Sequence, residues 1–264
     1  MRIIAIANQK GGVGKTTTAI NLGAGLARMG YSVLLIDLDP QGNSTVGLGV
    51  ELGQQQNTAC EVMLGECGLA EAILPLEQNN LSLVPSNVDL AAADVQLMQQ
   101  DSREAMLRKA LYGIEEQYQF VLVDCPPSLS LLTVNALTAA DSVLIPIQCE
   151  YFALEGLTAL LDTVDQIQAS VNSELEIEGL VRTMFDIRNN LSNEVSKQLI
   201  EHFGEKVYRT VVPRNVRVAE APSHGQSVLD YDPESRGAIA YLGLAGEFMR
   251  RHDQRINPTV SEQS

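Results

Sequence analysis

Aromatic residues are scarce in this sequence: it has no tryptophan, and aromatic side chains make up 5% of its 264 residues. Proteins that bind single-stranded nucleic acid commonly stack the bases on aromatic side chains, so this mode of binding is disfavoured. Long hydrophobic runs are also missing, and none approaches the ~18 consecutive apolar residues of a membrane span. The apolar start of the chain is too short for a signal peptide and leads into a glycine-rich loop. We therefore expect a cytoplasmic protein.

Cysteine and histidine are too few and too scattered to suggest a metal centre or a redox site. The four cysteines are Cys60, Cys67, Cys125 and Cys149, and no pair has the short spacing of a zinc site or a redox dithiol. The three histidines do not cluster in the sequence. We expect free thiols, as is usual in the cytosol.

Basic residues are few overall but unevenly distributed. The formal net charge is −15, which taken alone argues against binding nucleic acid. Residues 1–181 contain 7 basic and 22 acidic side chains, whereas residues 182–255 contain 11 and 10. The acidic excess is therefore confined to the first two thirds, and the last third could attract phosphates locally, because salt screens charges more than about 10 Å away.

Continuous apolar runs alternate with helix-like stretches along the chain. The runs predict strands at 3–7, 33–36, 81–84, 120–123, 142–147, 177–182 and 207–211, and the other stretches predict helices at 16–29, 103–116, 154–171, 193–203 and 234–250. Runs that do not alternate with polar residues indicate strands covered on both faces. We predict an α/β fold, a doubly wound, mostly parallel sheet flanked by helices. A single domain should span residues 1–251, followed by a flexible polar tail at 252–264.

A glycine-rich loop follows the first predicted strand and opens the first predicted helix. Its glycines allow backbone N–H groups to surround a phosphate, and the start of the helix adds its positive dipole end. Lys15 can reach the β and γ phosphates, and the Thr16 hydroxyl can ligate Mg²⁺. The predicted nucleotide-binding residues of this segment are Gly11, Gly12, Val13, Gly14, Lys15, Thr16 and Thr17.

The loop departs from the standard P-loop pattern G-x-x-x-x-G-K-[ST], because Gln9 stands where the first glycine should be and a second lysine, Lys10, lies inside it. The stretch KGGVGKTT at residues 10–17 resembles the deviant Walker A motif of the ParA/MinD superfamily of P-loop NTPases. The resemblance implies that Lys10 reaches the nucleotide of a second subunit. A cation supplied by a partner would make dimerisation depend on ATP.

Two further acidic segments follow predicted strands. The segment from Asp37 to Asn43 resembles the family's switch I, which implies that Asp39 orients the attacking water and that Asp37 supports the metal site. Asp124 follows four apolar residues in the Walker B arrangement, within reach of a magnesium-bound water. The prolines after it resemble switch II.

Three further segments make the resemblance more specific. Over about residues 1–250 the chain resembles the ParA/Soj family of DNA-partitioning ATPases. The segments that carry it are residues 148–157, 183–191 and 212–225. The resemblance implies that Met184, Pro213 and Asn215 border the adenine, and pliant or flat apolar contacts beside an amide suit a purine. It also implies that Arg188 and Arg217 bind DNA phosphates without reading sequence.

The function implied by this resemblance is ATP-dependent DNA partitioning. An ATP-bound, Mg²⁺-containing sandwich dimer binds non-specific double-stranded DNA at the nucleoid, and a ParB-like partner stimulates its slow hydrolysis and releases it. Repeated cycles would position a chromosome, a plasmid or another cargo.

Two other functions remain open on this scaffold. A MinD-like membrane-cycling ATPase would need an amphipathic C-terminal helix, but residues 247–258 have too few apolar side chains for a lipid-binding face, and Pro258 stops extension. No stable membrane association is expected. A metabolic or metal-cluster enzyme would need a second substrate pocket or paired cysteines.

Overall fold

The computed structural model describes residues 1–53, 56–76 and 80–256. Its strands are β1 (Arg2–Ile6), β2 (Val33–Asp37), β3 (Leu74–Pro75), β4 (Leu81–Val84), β5 (Phe120–Asp124), β6 (Ser142–Gln148), β7 (Glu176–Phe185) and β8 (Val207–Pro213). Within these described residues they form one eight-stranded sheet in the order β3-β4-β2-β5-β1-β6-β7-β8. Every neighbouring pair is parallel except the short antiparallel pair of β3 with β4. The predicted mostly parallel sheet is confirmed.

Helices cover both faces of this sheet. They are α1 (Lys15–Arg28), α2 (Asn43–Gly47), α3 (Ala59–Leu64), α4 (Leu69–Ala72), α5 (Leu90–Leu97), α6 (Met106–Leu111), α7 (Leu131–Ala139), α8 (Ala153–Ser170), α9 (Asn190–Phe203), α10 (Val216–Glu220), α11 (Val228–Tyr231) and α12 (Arg236–Ile256). In the described part of the chain, none of them is both long and apolar enough to cross a bilayer.

The continuous apolar strand runs arise because alternate side chains enter two separate cores. In β1, Ile4 and Ile6 pack with α1, α11 and α12 on one face, whereas Ala5 packs with helices α3 and α5 to α9 on the other. The strands β2 and β5 divide their side chains in the same way. Since successive side chains of a strand point to opposite faces, a strand buried on both faces needs an apolar residue at every position.

The carboxyl ends of the parallel strands lie at one edge of the sheet, and this edge positions the candidate site. β1 is the strand that precedes the glycine-rich loop, and it lies between β5 and β6. The segments that connect the strands leave the sheet in opposite directions at this position, and the chain after β1 emerges there. Such a position is where parallel α/β sheets bind their ligands.

Two sequence predictions about helices were wrong in detail. The helix expected at 103–116 is a 3₁₀ turn at Arg103–Ala105 followed by α6, which ends at Leu111. Gly113, with a φ of 99°, lies just beyond that end. The expected tail from His252 is helical as far as Ile256, because Arg255 is anchored to Glu178 with an Nη1–Oε2 distance of 2.6 Å. Residues 257–264 of the predicted tail lie outside the described residues.

The opposite, amino-terminal edge of the sheet contains a buried charge cluster. The Glu178 carboxylate, on a side chain only 1% exposed, pairs with Arg2 at 2.9 Å and with Arg255 at 2.6 Å, and it also accepts the Ser142 hydroxyl. Burial alone would raise the pKa of Glu178, but Arg255 and Arg2 together with Ser142 lower it. This cluster ties the first strand and the last helix to β7.

Candidate nucleotide-binding site

The loop between β1 and α1 has the conformation of a phosphate-binding loop. Gly12 and Gly14 adopt φ angles of 72° and 87°, in the left-handed region where a side chain would be strained. α1 begins at Lys15, and its described first turn contains no acidic residue and no side-chain cap. The backbone N–H groups of that turn and the positive end of the helix dipole are thus available to an anion.

The Lys15 ammonium is buried beneath this loop, with 7% of the residue exposed. Its Nζ donates a hydrogen bond to the carbonyl oxygen of Lys10 at 3.2 Å. Burial lowers the pKa of Lys15, and the negative charges of Asp124 and Asp39 oppose that effect. A desolvated ammonium beside a helix start suits the binding of a phosphate oxygen.

Asp37 and Asp124 end the neighbouring strands β2 and β5 and are direct register partners. Both residues are completely buried. Asp37 accepts hydrogen bonds from the Thr45 N–H at 2.9 Å, the Thr45 hydroxyl at 2.8 Å and the Asp39 N–H at 3.2 Å. Burial raises the pKa of Asp37, and burial together with the charge of Asp37 raises that of Asp124.

The donor set fits a magnesium ion better than a softer metal. Asp124 Oδ2 accepts the Ser44 hydroxyl at 2.8 Å, but its Oδ1 is buried without a hydrogen-bond partner among the described residues. The hydroxyl of Thr16 lies beside the same carboxylate and lowers its pKa. Across the described ranges, no group of three or more His, Cys, Asp or Glu side chains could hold a metal. Mg²⁺ is bound through one or two carboxylates together with waters and substrate phosphates, so an all-protein cage is not needed.

Of these two carboxylates, only Asp124 retains an oxygen without a protein donor in the described structure. The Asp124 carboxylate therefore offers an oxygen to a cation beside the Thr16 hydroxyl. Asp37 uses both of its oxygens to order the backbone around it. The expectation that Asp37 supports the metal site stays a prediction.

Asp39 lies in a tight turn at the same edge, and the residue is 8% exposed. Its Oδ1 accepts the Gln41 N–H at 3.0 Å, and its carbonyl oxygen accepts the Gly42 N–H at 2.8 Å. Ser86, from the segment after β4, also donates its hydroxyl to that carbonyl at 2.8 Å. The predicted catalytic carboxylate is thus held near Asp37 by a network of backbone hydrogen bonds.

Lys10 extends from the glycine-rich loop toward the segment after β6. Its Nζ pairs with Glu150 Oε2 at 2.7 Å, and both side chains are partly exposed. The role expected for Lys10 is to reach a second subunit, whereas in this single chain its charge is bound by a carboxylate of the same chain. Glu150 was not identified as a site residue from the sequence, although it lies within one of the segments that carry the resemblance.

The predicted adenine-contacting residues lie at the ends of β7 and β8. The Thr183 hydroxyl donates to the Val13 carbonyl at 2.7 Å, which brings Met184, with a φ of 48°, next to the glycine-rich loop. Pro213 is the register partner of Phe185. The Asn215 Oδ1 accepts the Val218 N–H at 3.2 Å and caps α10. The carbonyl oxygen of the Asn215 amide therefore has a structural role, and contact with adenine remains a prediction for all three.

The two arginines predicted to bind DNA are exposed but paired with carboxylates. Arg188 binds Asp186 through Nε at 3.0 Å and Nη2 at 2.9 Å, and this pairing lowers the pKa of Asp186 to about 2. Arg217 pairs with Glu220 at 2.9 Å and with Asp232 at 3.2 Å. They lie on different segments, one between β7 and α9 and the other in α10.

Several residues of the site were not identified from the sequence: Ser44, Thr45, Ser86 and Glu150. The first two follow the acidic motif and contact it only because α2 folds back over Asp37 and Asp124. Ser86 and Glu150 reach the site across more than 40 residues of sequence. No local pattern marks such contacts. All four cysteines are free thiols, as expected.

Comparison with known proteins places this architecture among ATP-binding proteins. A family model described as an AAA domain matches residues 1–177. The chain is 52% identical over 257 residues to the chromosome partitioning protein ParA of Caulobacter vibrioides, covering 97% of this chain and 96% of that protein. It is 51% identical over 246 residues to the sporulation initiation inhibitor protein Soj of Bacillus subtilis, covering 93% and 97%. A solved structure of cobyrinic acid a,c-diamide synthase from Mycobacterium smegmatis, with an ATP analogue and magnesium bound, matches with a TM-score of 0.85 and 35% identity, covering 97% of each chain.

Proposed function

The chain belongs to the ParA/Soj family of partitioning ATPases, and from that premise we propose that it is a magnesium-dependent ATPase whose ATP-bound dimer binds DNA. The observation that carries the proposal is the convergence of three features at one sheet edge. The buried Lys15 ammonium, the start of α1 and the Asp124 oxygen that has no hydrogen-bond partner among the described residues all lie there. Together they provide for a phosphate chain and for its metal ion.

We assign the nucleotide phosphates to the glycine-rich loop. The N–H groups of residues 11–17 and the Lys15 ammonium would bind the phosphate oxygens, while the Thr16 hydroxyl and Asp124 would hold Mg²⁺. Bound Mg²⁺ would supply the positive charge that neutralises the phosphates during transfer. Asp39 would orient the attacking water, and Met184, Pro213 and Asn215 would border the base.

ATP would favour a dimer because Lys10 would exchange one anion for another. In the single chain its ammonium binds Glu150, and in the dimer it would bind the phosphates held by the second copy. Ion pairs as exposed as this one contribute about 0–1 kcal/mol, so breaking it costs little. A triphosphate carries far more negative charge than one carboxylate, which supports a closed state that requires ATP.

DNA binding would be a property of this dimer and would use Arg188 and Arg217. Their present partners are exposed carboxylates, for which DNA phosphates can substitute. Contacts of this kind are independent of base sequence and weaken as salt increases. A ParB-like partner would stimulate hydrolysis and release the DNA, and the cycle would position a chromosome, a plasmid or another cargo at the nucleoid, within the cytoplasm.

The membrane-cycling alternative is supported less well. The main apolar face of α12, with Tyr241, Leu244 and Phe248, is buried against the sheet and α1 rather than presented to a lipid surface, and of its large apolar side chains only Ile239 and Leu242 are exposed among the described residues. A helix that binds lipid needs an apolar face that is free to insert into the bilayer. The described part of the C-terminal region uses that face for the core.

The proposal is tested by measuring molecular mass in solution with ATP, with ADP and without nucleotide, always with magnesium. We expect a dimer only with ATP, a longer-lived dimer in Asp39→Ala, and no dimer in Lys10→Ala although that variant still binds nucleotide. A wild-type protein that binds no adenine nucleotide would refute the proposal. A Lys10→Ala dimer would refute the role assigned to Lys10 alone.

A further inference from the structure

Ser86 is a buried polar residue that the proposed reaction does not use. It lies two residues beyond the end of β4 and is 2% exposed. The Ser86 hydroxyl and the Ser86 N–H both donate hydrogen bonds to another segment, residues 37–45, which we call the Asp39 loop. That loop contains the carboxylate proposed to orient the attacking water.

The two hydrogen bonds of Ser86 hold both ends of this loop. Its hydroxyl donates to the Asp39 carbonyl oxygen at 2.8 Å, and its N–H donates to Thr45 Oγ1 at 2.9 Å. The Thr45 hydroxyl in turn donates to Asp37 Oδ2 at 2.8 Å. A single residue of the adjacent segment thus fixes the turn at Asp39 and the helical turn that secures Asp37.

The backbone of the loop also lies directly against Ser86. Gly42 has a φ of 61°, and a Cβ built there would lie 3.1 Å from the Ser86 carbonyl oxygen. The Asp39 carbonyl accepts one donor from inside the loop, the Gly42 N–H, and one from outside it, the Ser86 hydroxyl. Leu38 and Ser44 also tie the loop to Asp124 at the end of β5, so the outside donor is what holds the turn specifically at the Asp39 carbonyl.

We infer that Ser86 is a positioning residue for hydrolysis, acting through the backbone of Asp39. This inference rests on the proposed role of Asp39. Without the hydroxyl, the Asp39 carbonyl keeps only its hydrogen bond from the Gly42 N–H, so the turn at Asp39 is held less firmly relative to the phosphate-binding loop. A displacement of about 1 Å in a group that orients a reactant can cost up to about 10²-fold in rate. ATP binding depends on the other loop and is unaffected.

The experiment compares steady-state ATP hydrolysis and thermal unfolding in four variants: Ser86→Ala, Ser86→Thr, Ser142→Ala and Asp39→Ala. Ser142 is the matched control, because it is a fully buried serine whose hydroxyl bonds Glu178 at the opposite edge of the sheet. We expect kcat of Ser86→Ala to fall about 5–20-fold with KM for ATP changed less than about twofold, as when an interaction made only in the transition state is removed. Ser86→Thr should restore kcat, and Ser142→Ala should lose thermal stability without losing kcat.

Should Ser86→Ala be too unstable to assay, Ser86→Cys makes the same test, because a thiol fills most of the same space but is only a weak hydrogen-bond donor. A kcat within about twofold of wild type in Ser86→Ala, or in this substitute, would overturn the inference. An equal fall in kcat in Ser142→Ala would also overturn it, since stability alone would then explain the loss. If Asp39→Ala hydrolyses ATP normally, the proposed role of Asp39 fails. If Asp39→Ala is inactive and Ser86→Ala is normal, only the inference about Ser86 fails.

Discussion

Asp37 and Asp124 stand side by side as the last residues of two adjacent parallel strands, and both are completely buried. Two neighbouring carboxylates that are buried away from solvent destabilise each other when both are charged. The apo fold therefore carries a local cost that a divalent cation would remove. Sites of this kind commonly give up stability in the free protein in favour of binding.

Asp124→Asn should reveal the stability cost of the two adjacent carboxylates separately from the proposed binding of MgATP. Removing one of two adjacent buried charges should raise the unfolding temperature of the nucleotide-free protein by about 2–4 °C, the change that ~1 kcal/mol produces in a domain of this size. The same variant should lose the further stabilisation that ATP with magnesium gives the wild type. Differential scanning fluorimetry with and without MgATP measures both effects. Asp141→Asn, outside the site, serves as the control, and an Asp124→Asn protein still stabilised by MgATP would contradict the metal assignment.

The phosphate-binding loop and the strands on either side of it show what local sequence can predict. The glycines, Lys15 and the start of α1 are adjacent in sequence, and their chemistry follows from that adjacency. The strands were recognised because β1, β2 and β5 are apolar at nearly every position, as burial on both faces requires. The pairing of Asp37 with Asp124 was not predictable, because strand register is set by tertiary contacts.

The two predictions that were wrong, for the helix at 103–116 and for the tail from residue 252, also have physical explanations. Residues 252–255 are polar, and the contact that anchors this last part of α12 is with Glu178, 77 residues away from Arg255. The helix expected to reach residue 116 ends at Leu111, just before Gly113 with its positive φ. Helices of four or five residues such as α2 have too few turns to show an apolar period.

The two exposed arginines lead to a prediction about DNA. Asp186→Asn removes the charge that pairs with Arg188, so the ATP-bound protein should bind plasmid DNA more tightly. Arg188→Ala and Arg217→Ala should each weaken binding and reduce the slope of log affinity against log salt by about 0.9 for each phosphate that the variant no longer neutralises. Filter binding or fluorescence anisotropy over a salt series measures these slopes.

The control for that series is Arg28→Ala, an arginine that pairs with Asp230 at 2.6 Å on another part of the surface. Removing it changes the net charge by the same amount as the other two substitutions. Equal losses of DNA affinity in all three variants would indicate a general charge effect and would contradict the assignment to Arg188 and Arg217.

Glu178 provides a test of pH-dependent stability away from the site. Glu178→Gln leaves Arg2 and Arg255 without their buried partner and should lower the free energy of unfolding at neutral pH by about 3 kcal/mol. Because the folded pKa of Glu178 lies below its unfolded value, its contribution is fully present above the unfolded pKa of about 4.3 and is lost as the pH falls through the folded pKa. The difference in free energy of unfolding between Glu178→Gln and the wild type should therefore become smaller as the pH falls.

Urea denaturation at neutral and acidic pH measures this difference. Glu176→Gln is the matched control, since that side chain is 64% exposed and lies 3.8 Å from Arg255, and it should change stability by less than about 1 kcal/mol. A Glu178→Gln deficit that stays constant with pH would show that altered packing, not the ion pairs, accounts for the destabilisation.

Lipid binding gives the remaining prediction. With ATP and magnesium, the protein should stay in the supernatant when vesicles of anionic phospholipid are sedimented, because α12 uses its main apolar face, with Tyr241, Leu244 and Phe248, for the core. Vesicles of neutral lipid supply the baseline. ATP-dependent pelleting with the anionic vesicles would favour the membrane-cycling alternative.

The meeting of Arg2 and Arg255 on one oxygen of Glu178 has a practical consequence for tracking this protein in living cells. Arg2 and Arg255 meet at the base of the sheet, on the side remote from the glycine-rich loop. A fluorescent reporter joined close to either residue should therefore leave the nucleotide edge unobstructed. The same proximity would let a short linker join residues 255 and 2 in a circularly permuted chain, with new ends opened in a surface loop.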